Sequence, residues 1–229
     1  MKRALASLTV LCVLAVAPAA SARVIELGEG ATPLAKPSCP ASGPTDCQAV
    51  GRVTGYMGRS GDKKDPFIVP RGGKILAFTI ALGNPTAKER AFFTDLYGGP
   101  PQVRISVLRA GRTRRTRLTH RLVRQSDRFR VDRYFGSSPT FVFDQPLKVA
   151  RGNRIALTVP TWTPSLALGL GRANWWRSSR RKGSCSNVSQ RAQQQFLNGT
   201  RNYGCTYFTA RLTYSVTYVP DPRRTDGRR

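Results

Sequence analysis

The sequence predicts an all-β fold: an antiparallel β-sandwich, jelly-roll-like, with one or two short helices and two disulfides. Three observations carry the prediction. Short segments that alternate apolar and polar residues recur along the chain, the pattern of strands half-buried against a core. Clusters of Gly, Pro, Ser and Asn separate them at near-regular spacing, as in sandwiches and barrels rather than α/β folds. Four of the five cysteines lie beyond residue 22, an even number of the kind that staples exported domains.

Taken in order, residues 1–22 read as a signal peptide. Lys2 and Arg3 form a positive start, Ala4 to Val16 are uncharged and mostly apolar, and Ala20-Ser21-Ala22 supplies a small-x-small cleavage pattern. The apolar run breaks at Pro18, short of the roughly 18 residues that a membrane span needs. Cys12 follows Leu11 inside that run, where a lipidated cysteine would need a small residue before it. The mature chain is therefore expected to start at Arg23, secreted or cell-surface associated and without a transmembrane anchor.

Residues 23–48 read as an irregular lead, because Pro33, Pro37, Pro40 and Pro44 interrupt any regular structure. Residues 49–220 form the sandwich domain, a length that one all-β domain can use to bury a core. Its first strands are Val50 to Met57, Phe67 to Val69 and Lys74 to Leu82. Thr86-Ala87-Lys88-Glu89 is a capping box ahead of a short helix. Gln102 to Arg109 and Thr113 to Arg124 form a hairpin around Ala110-Gly111-Arg112, with Leu118, His120 and Leu122 on the inward face of the second strand.

Further strands are read at Arg128 to Tyr134, Thr140 to Phe143, Asn153 to Val159, Leu166 to Leu170 and Thr206 to Val219. Ser189 to Leu197, stopped by Gly199, is the second helix candidate. Residues 221–229 are charged and lack apolar residues, which predicts a disordered basic tail. Four cysteines allow three connectivities, of which Cys39–Cys47 with Cys185–Cys205 is the economical one. No C-x2-C pair occurs, so a zinc site is not expected. Calcium at Asp62 and Asp65 is opposed by Lys63 and Lys64 between them.

The segments Thr140-Phe141-Val142-Phe143, Gln145-Pro146-Leu147-Lys148-Val149, Gly152-Asn153-Arg154-Ile155-Ala156-Leu157-Thr158-Val159-Pro160-Thr161-Trp162 and Tyr203-Gly204-Cys205-Thr206 resemble motifs of uncharacterised secreted proteins of high-GC Gram-positive bacteria. The resemblance spans Val50 to Pro220. It implies export and a β-sandwich, and it implies no activity, catalytic residue or ligand.

The formal net charge of the whole chain is +26, which favours anionic polymers as partners and gives no reading motif for sequence-specific nucleic acid. Of the 38 basic residues 30 are Arg, a bias that GC-rich codon usage also produces without any partner. Enzyme chemistry lacks its parts. His120 is the only histidine and falls on an inward strand face, no G-x-S-x-G elbow occurs, and the glycine pairs lack a nucleotide-loop context. Scattered carboxylates leave a glycan hydrolase as the catalytic alternative. No cofactor or metal is expected.

The segment Asn174-Trp175-Trp176-Arg177-Ser178-Ser179-Arg180-Arg181-Lys182-Gly183-Ser184-Cys185 is the candidate site. Adjacent tryptophans on an extended chain face opposite ways, so one of Trp175 and Trp176 is free to stack on a sugar ring while Arg177, Arg180 and Arg181 hold anionic groups. The competing reading is structural: one indole closes the sandwich and the arginines form a solvated face. The expectation for function is a non-catalytic secreted or envelope-associated module binding a glycan or anionic polymer. A purely structural or adhesive surface protein is the alternative.

Overall fold

The computed structural model describes residues 23–28, 34–39, 47–186 and 191–222. The predicted signal peptide, Pro33, Pro40, Pro44, Ser189 and the tail from residue 223 lie outside the described residues. In chain order the strands are β1 (Ile25–Leu27), β2 (Val50–Ser60), β3 (Lys63–Lys64), β4 (Gly73–Ile80), β5 (Gln102–Ala110), β6 (Thr119–Gln125), β7 (Phe129–Arg130) and β8 (Thr140–Val149). They continue with β9 (Arg154–Thr163), β10 (Leu166–Ala167), β11 (Asn174–Ser178), β12 (Thr200–Asn202), β13 (Cys205–Phe208), β14 (Arg211–Leu212) and β15 (Tyr214–Pro220). One α-helix, α1 (Ala87–Tyr97), interrupts them between β4 and β5.

Pairing is antiparallel throughout the described strands, in a sandwich-like arrangement of two main sheets. The smaller has the order β1-β15-β4-β8, and the larger has the order β12-β6-β5-β9-β2-β11-β13. In β5 the core-facing residues alternate as read, whereas in β4 the pairing shifts between Ile75 and Ala77, and Ile75 joins the core together with Phe78 and Ile80, which a strict two-residue period puts on the opposite face. Ile75, Phe78 and Ile80 of β4 and Val216 and Tyr218 of β15 form one buried cluster with Val53, Ile105, Val107, Leu157 and Val159 of the large sheet. Burying side chains of this size contributes roughly 1.5–3 kcal/mol each, so this layer is the main source of stability.

The larger sheet curls on itself. Its edge strands β12 and β13 are joined by Tyr203 and Gly204 alone, so Asn202 and Cys205 lie within about 11 Å of each other. In a flat sheet of seven strands those edges would stand about 29 Å apart. The rings agree: Tyr56 of β2 and His120 of β6 are three strands apart in the sheet order, yet their centroids are separated by 5.1 Å. The curl encloses a second core of Tyr56, Leu108, Leu122, Ala156 and Tyr203, with His120 fully buried beside it.

That second core is partly polar. Thr158 Oγ1 is 2.6 Å from Ser106 Oγ and 2.9 Å from Thr54 Oγ1. Residues 191–199 cross over it as an extended strap, where a helix over Ser189 to Leu197 was expected; the part from Arg191 on is not helical. Its backbone is taken up by neighbouring strands instead: Gln193 N donates to Arg52 O (2.8 Å), Gln195 N to Thr54 Oγ1 (3.0 Å) and Asn198 N to Leu122 O (2.8 Å). These bonds replace those a helix would make internally.

Other departures have local causes. The lead is not irregular throughout, since Ile25–Leu27 adds β1 to β15. The hairpin of β5 and β6 forms, but Thr113 to Leu118 make a turn held by Thr113 and Thr116, and the strand starts at Thr119. Only Phe129–Arg130 of the Arg128 to Tyr134 reading is strand, followed by a 3-10 turn at Asp132–Tyr134. Leu166 to Leu170 shortens to β10. The long strand read over Thr206 to Val219 is three strands, interrupted after Phe208 by Thr209 at φ 54 and again at Thr213.

Both predicted disulfides are formed, Cys39–Cys47 and Cys185–Cys205. The first packs with Phe93, Tyr97 and Trp162 in a third cluster. The Thr86 capping box starts α1 as predicted, and its Glu89 also accepts from Cys47 N at 3.1 Å, which ties helix to disulfide loop. Among the described residues no helix is long and apolar enough to cross a membrane.

Candidate functional site

β11 is an interior strand, paired on one side with β2 and on the other with β13. Its alternation sends the two indoles to opposite faces. Trp176 faces the sandwich core, 4% exposed, stacked on Tyr207 with centroids 4.4 Å apart. Trp175 faces the other way and is half-buried. Its ring lies against Gly58, where a Cβ would come within 1.7 Å of an indole carbon. Glycine is therefore required at that position for the ring to lie down.

The arginines divide in the same manner. Arg177 is half-buried, with its guanidinium carbon 5.4 Å from the Trp175 ring centroid and Nη1 donating to Tyr203 O at 3.2 Å. Arg180 is 5% exposed, and its Nη2 donates to Gly51 O at 3.0 Å. Burial pulls its guanidinium below the usual arginine range, while Tyr207 and Tyr97 act in the opposite sense. Arg181 is exposed. Of the five predicted residues, Trp176 and Arg180 are thus interior, and Trp175, Arg177 and Arg181 reach the surface.

Arg181 opens onto a pocket of about 400 Å³ lined by Ser179, Arg181, Lys182, Arg201 and Asn202. The pocket lies at the seam where the curled sheet brings β12 back to the end of β11. Arg181 and Lys182 open a turn closed by Ser184 N donating to Arg181 O (2.9 Å). The turn is anchored by the Cys185–Cys205 bridge and by Tyr207 Oη donating to Cys185 O (2.7 Å). Arg181 N donates to Gln193 Oε1 of the strap at 2.8 Å. Three cations therefore converge on a pocket with no carboxylate in its lining.

Arg201 and Asn202 were not singled out by the sequence. They stand about twenty residues from Arg181 along the chain, and only the pairing of Arg201 with His120 brings them to the seam. A larger cleft of about 810 Å³ lies between β6, β7 and β8, where Arg124, Arg128 and Lys148 are accompanied by Asp127 and Asp144. Its cations are offset by acids, which weakens any preference for an anion.

His120 is fully buried. Its Nδ1 lies 3.1 Å from Leu118 O, the arrangement of a ring that donates from Nδ1, and its Nε2 has no hydrogen-bond partner. Burial, then the positive Arg154 nearby, pushes its pKa down to about 4, so the ring is neutral at physiological pH. Asp65, considered for calcium, takes Arg154 Nη1 at 2.7 Å. Among the described residues, the grouping with metal-ligand atoms in mutual reach is Cys39, Cys47 and Glu89. Both sulfurs there are in the disulfide and the carboxylate serves the capping box. No protein-family model, curated protein or solved structure matches this chain.

Proposed function

We propose that the protein is a non-catalytic module, exported and secreted or held at the cell envelope, that binds an anionic polymer or glycan through the seam pocket. The observation that carries the reading is the convergence of Arg181, Lys182 and Arg201 on a pocket whose lining has no acidic residue. Cations gathered without a neutralising carboxylate repel one another, and an anionic ligand relieves that repulsion. Two disulfides and the signal-like Lys2 to Ala22 segment support export. The buried, neutral His120 supports a role without acid–base chemistry.

The test is binding of polyphosphate and of dextran sulfate at low and at physiological ionic strength. In the triple variant Arg181→Ala, Lys182→Ala, Arg201→Ala, affinity should fall and its salt dependence should flatten, because fewer counterions are released. Replacing Arg112, Arg114 and Arg115 in the β5–β6 turn, all exposed, removes the same charge elsewhere. Equal losses from the two triple variants, or no binding at physiological salt, would favour a structural or adhesive surface protein.

A further inference from the structure

We infer that the ligand is a polyanionic polysaccharide, one chain that stacks a sugar ring on Phe208 and Trp175 and sets an acidic group in the seam pocket. The inference rests on the pocket reading above and adds a second contact to it. Phe208 is directly opposite Trp175 across β11 and β13, so both side chains leave the same face. Their ring centroids are 6.5 Å apart at 52°, which makes a shallow V. Phe208 is 62% exposed, and the Trp175 ring is fixed from below by Gly58.

The exposed Phe208 ring, with Trp175 packed beside it between Gly58 and Arg177, suits the apolar face of a pyranose. The strand itself supplies the path to the pocket. Trp175 and Arg177 share a face of β11, and Ser179, buried and bonded to Gln193 O, follows at the bend just past the strand, about 13 Å from Trp175. Ser179 lines the pocket, and Arg177 stands midway. An oligosaccharide of a few units spans that distance. A polymer with charge but no rings would use one end only, and a neutral glycan would use the other.

The experiment compares three probes on the whole protein: dextran sulfate, dextran and polyphosphate. Phe208→Ala removes an exposed ring without opening the core. It should weaken dextran sulfate binding about tenfold or more, the scale of losing a stacked ring, and leave polyphosphate unchanged. Trp175→Ala should do the same, with circular dichroism checking that β11 stays in place. Dextran should bind weakly, and its binding should be lost with either ring. If dextran sulfate and polyphosphate bind equally and neither ring matters, the polysaccharide inference is overturned while the anion pocket stands. If neither polyanion binds at all, the pocket reading fails with it.

Discussion

Between the two sheets the buried side chains are mostly Val, Ile, Leu and Phe, whereas inside the curl of the large sheet Ser106, Thr158, Thr54, Gln195 and His120 are buried among Tyr56, Leu108 and Tyr203. β2, β5 and β9 supply both layers from alternate residues. The first layer depends on area and fit. The second depends on each polar atom meeting a partner, since an unpaired buried group costs about 1–3 kcal/mol. Gln195 meets that requirement, its Nε2 donating to His120 O and Gly199 O, both at 2.7 Å, and its Oε1 accepting from Tyr203 Oη at 2.6 Å, whereas His120 Nε2 does not.

The two layers should fail differently. Phe78→Ala, at a fully buried ring touching Phe141 and Phe143, should cost the most, about 3–5 kcal/mol in urea unfolding. Acid should reach the curled core through His120. Its folded pKa of about 4 lies below the ordinary 6.5, so the unfolded chain takes up a proton first. The stability this group contributes is complete above pH 6.5 and is lost as pH falls towards 4, by about 3 kcal/mol in all. The difference in unfolding free energy between wild type and His120→Gln, followed over that range, isolates it from the carboxylates. A flat difference would mean that the ring is not held neutral.

Gln195→Ala should come last, at about 1–3 kcal/mol, from stranding the Tyr203 hydroxyl and the His120 carbonyl. If the layers are independent, its effect should add to that of Phe78→Ala within about 0.5 kcal/mol. Strong coupling between them would show that the sheet transmits strain from one face to the other.

Alternation alone made the first layer legible, as in Val103, Ile105 and Val107 of β5, all fully buried. The disulfides were legible from the even number of cysteines beyond residue 22 and their spacing, and the capping box from Thr86 and Glu89. The curl was not, because it depends on Asn202 pairing with Thr119, far away in sequence and without a local pattern. The seam pocket inherits that blindness, so Arg201 went unnoticed while Arg180, in the same basic run as Arg181, was taken for surface. Thr206 to Val219 misled for another reason. Ala210 to Val216 are buried without a break because the chain passes there from the large sheet to the small one. Side chains on both sides then meet protein, and alternation no longer marks an inside and an outside.

The junction at Tyr203 and Gly204 also bears on self-association. By drawing β12 and β13 together, it leaves the larger sheet without two widely separated open ends on which another chain could add. In the small sheet, β1 is only three residues long, so β8 is the long margin left. There Val142 pairs with Ala77 and Leu147 with Ile75, so four residues of β8 stand against the single Leu76. Among those four are Asp144 and Pro146, a charge and a residue with no N–H to donate. A second copy arriving at this margin would meet an interrupted ladder, which favours a dispersed protein even where many copies are crowded at one surface.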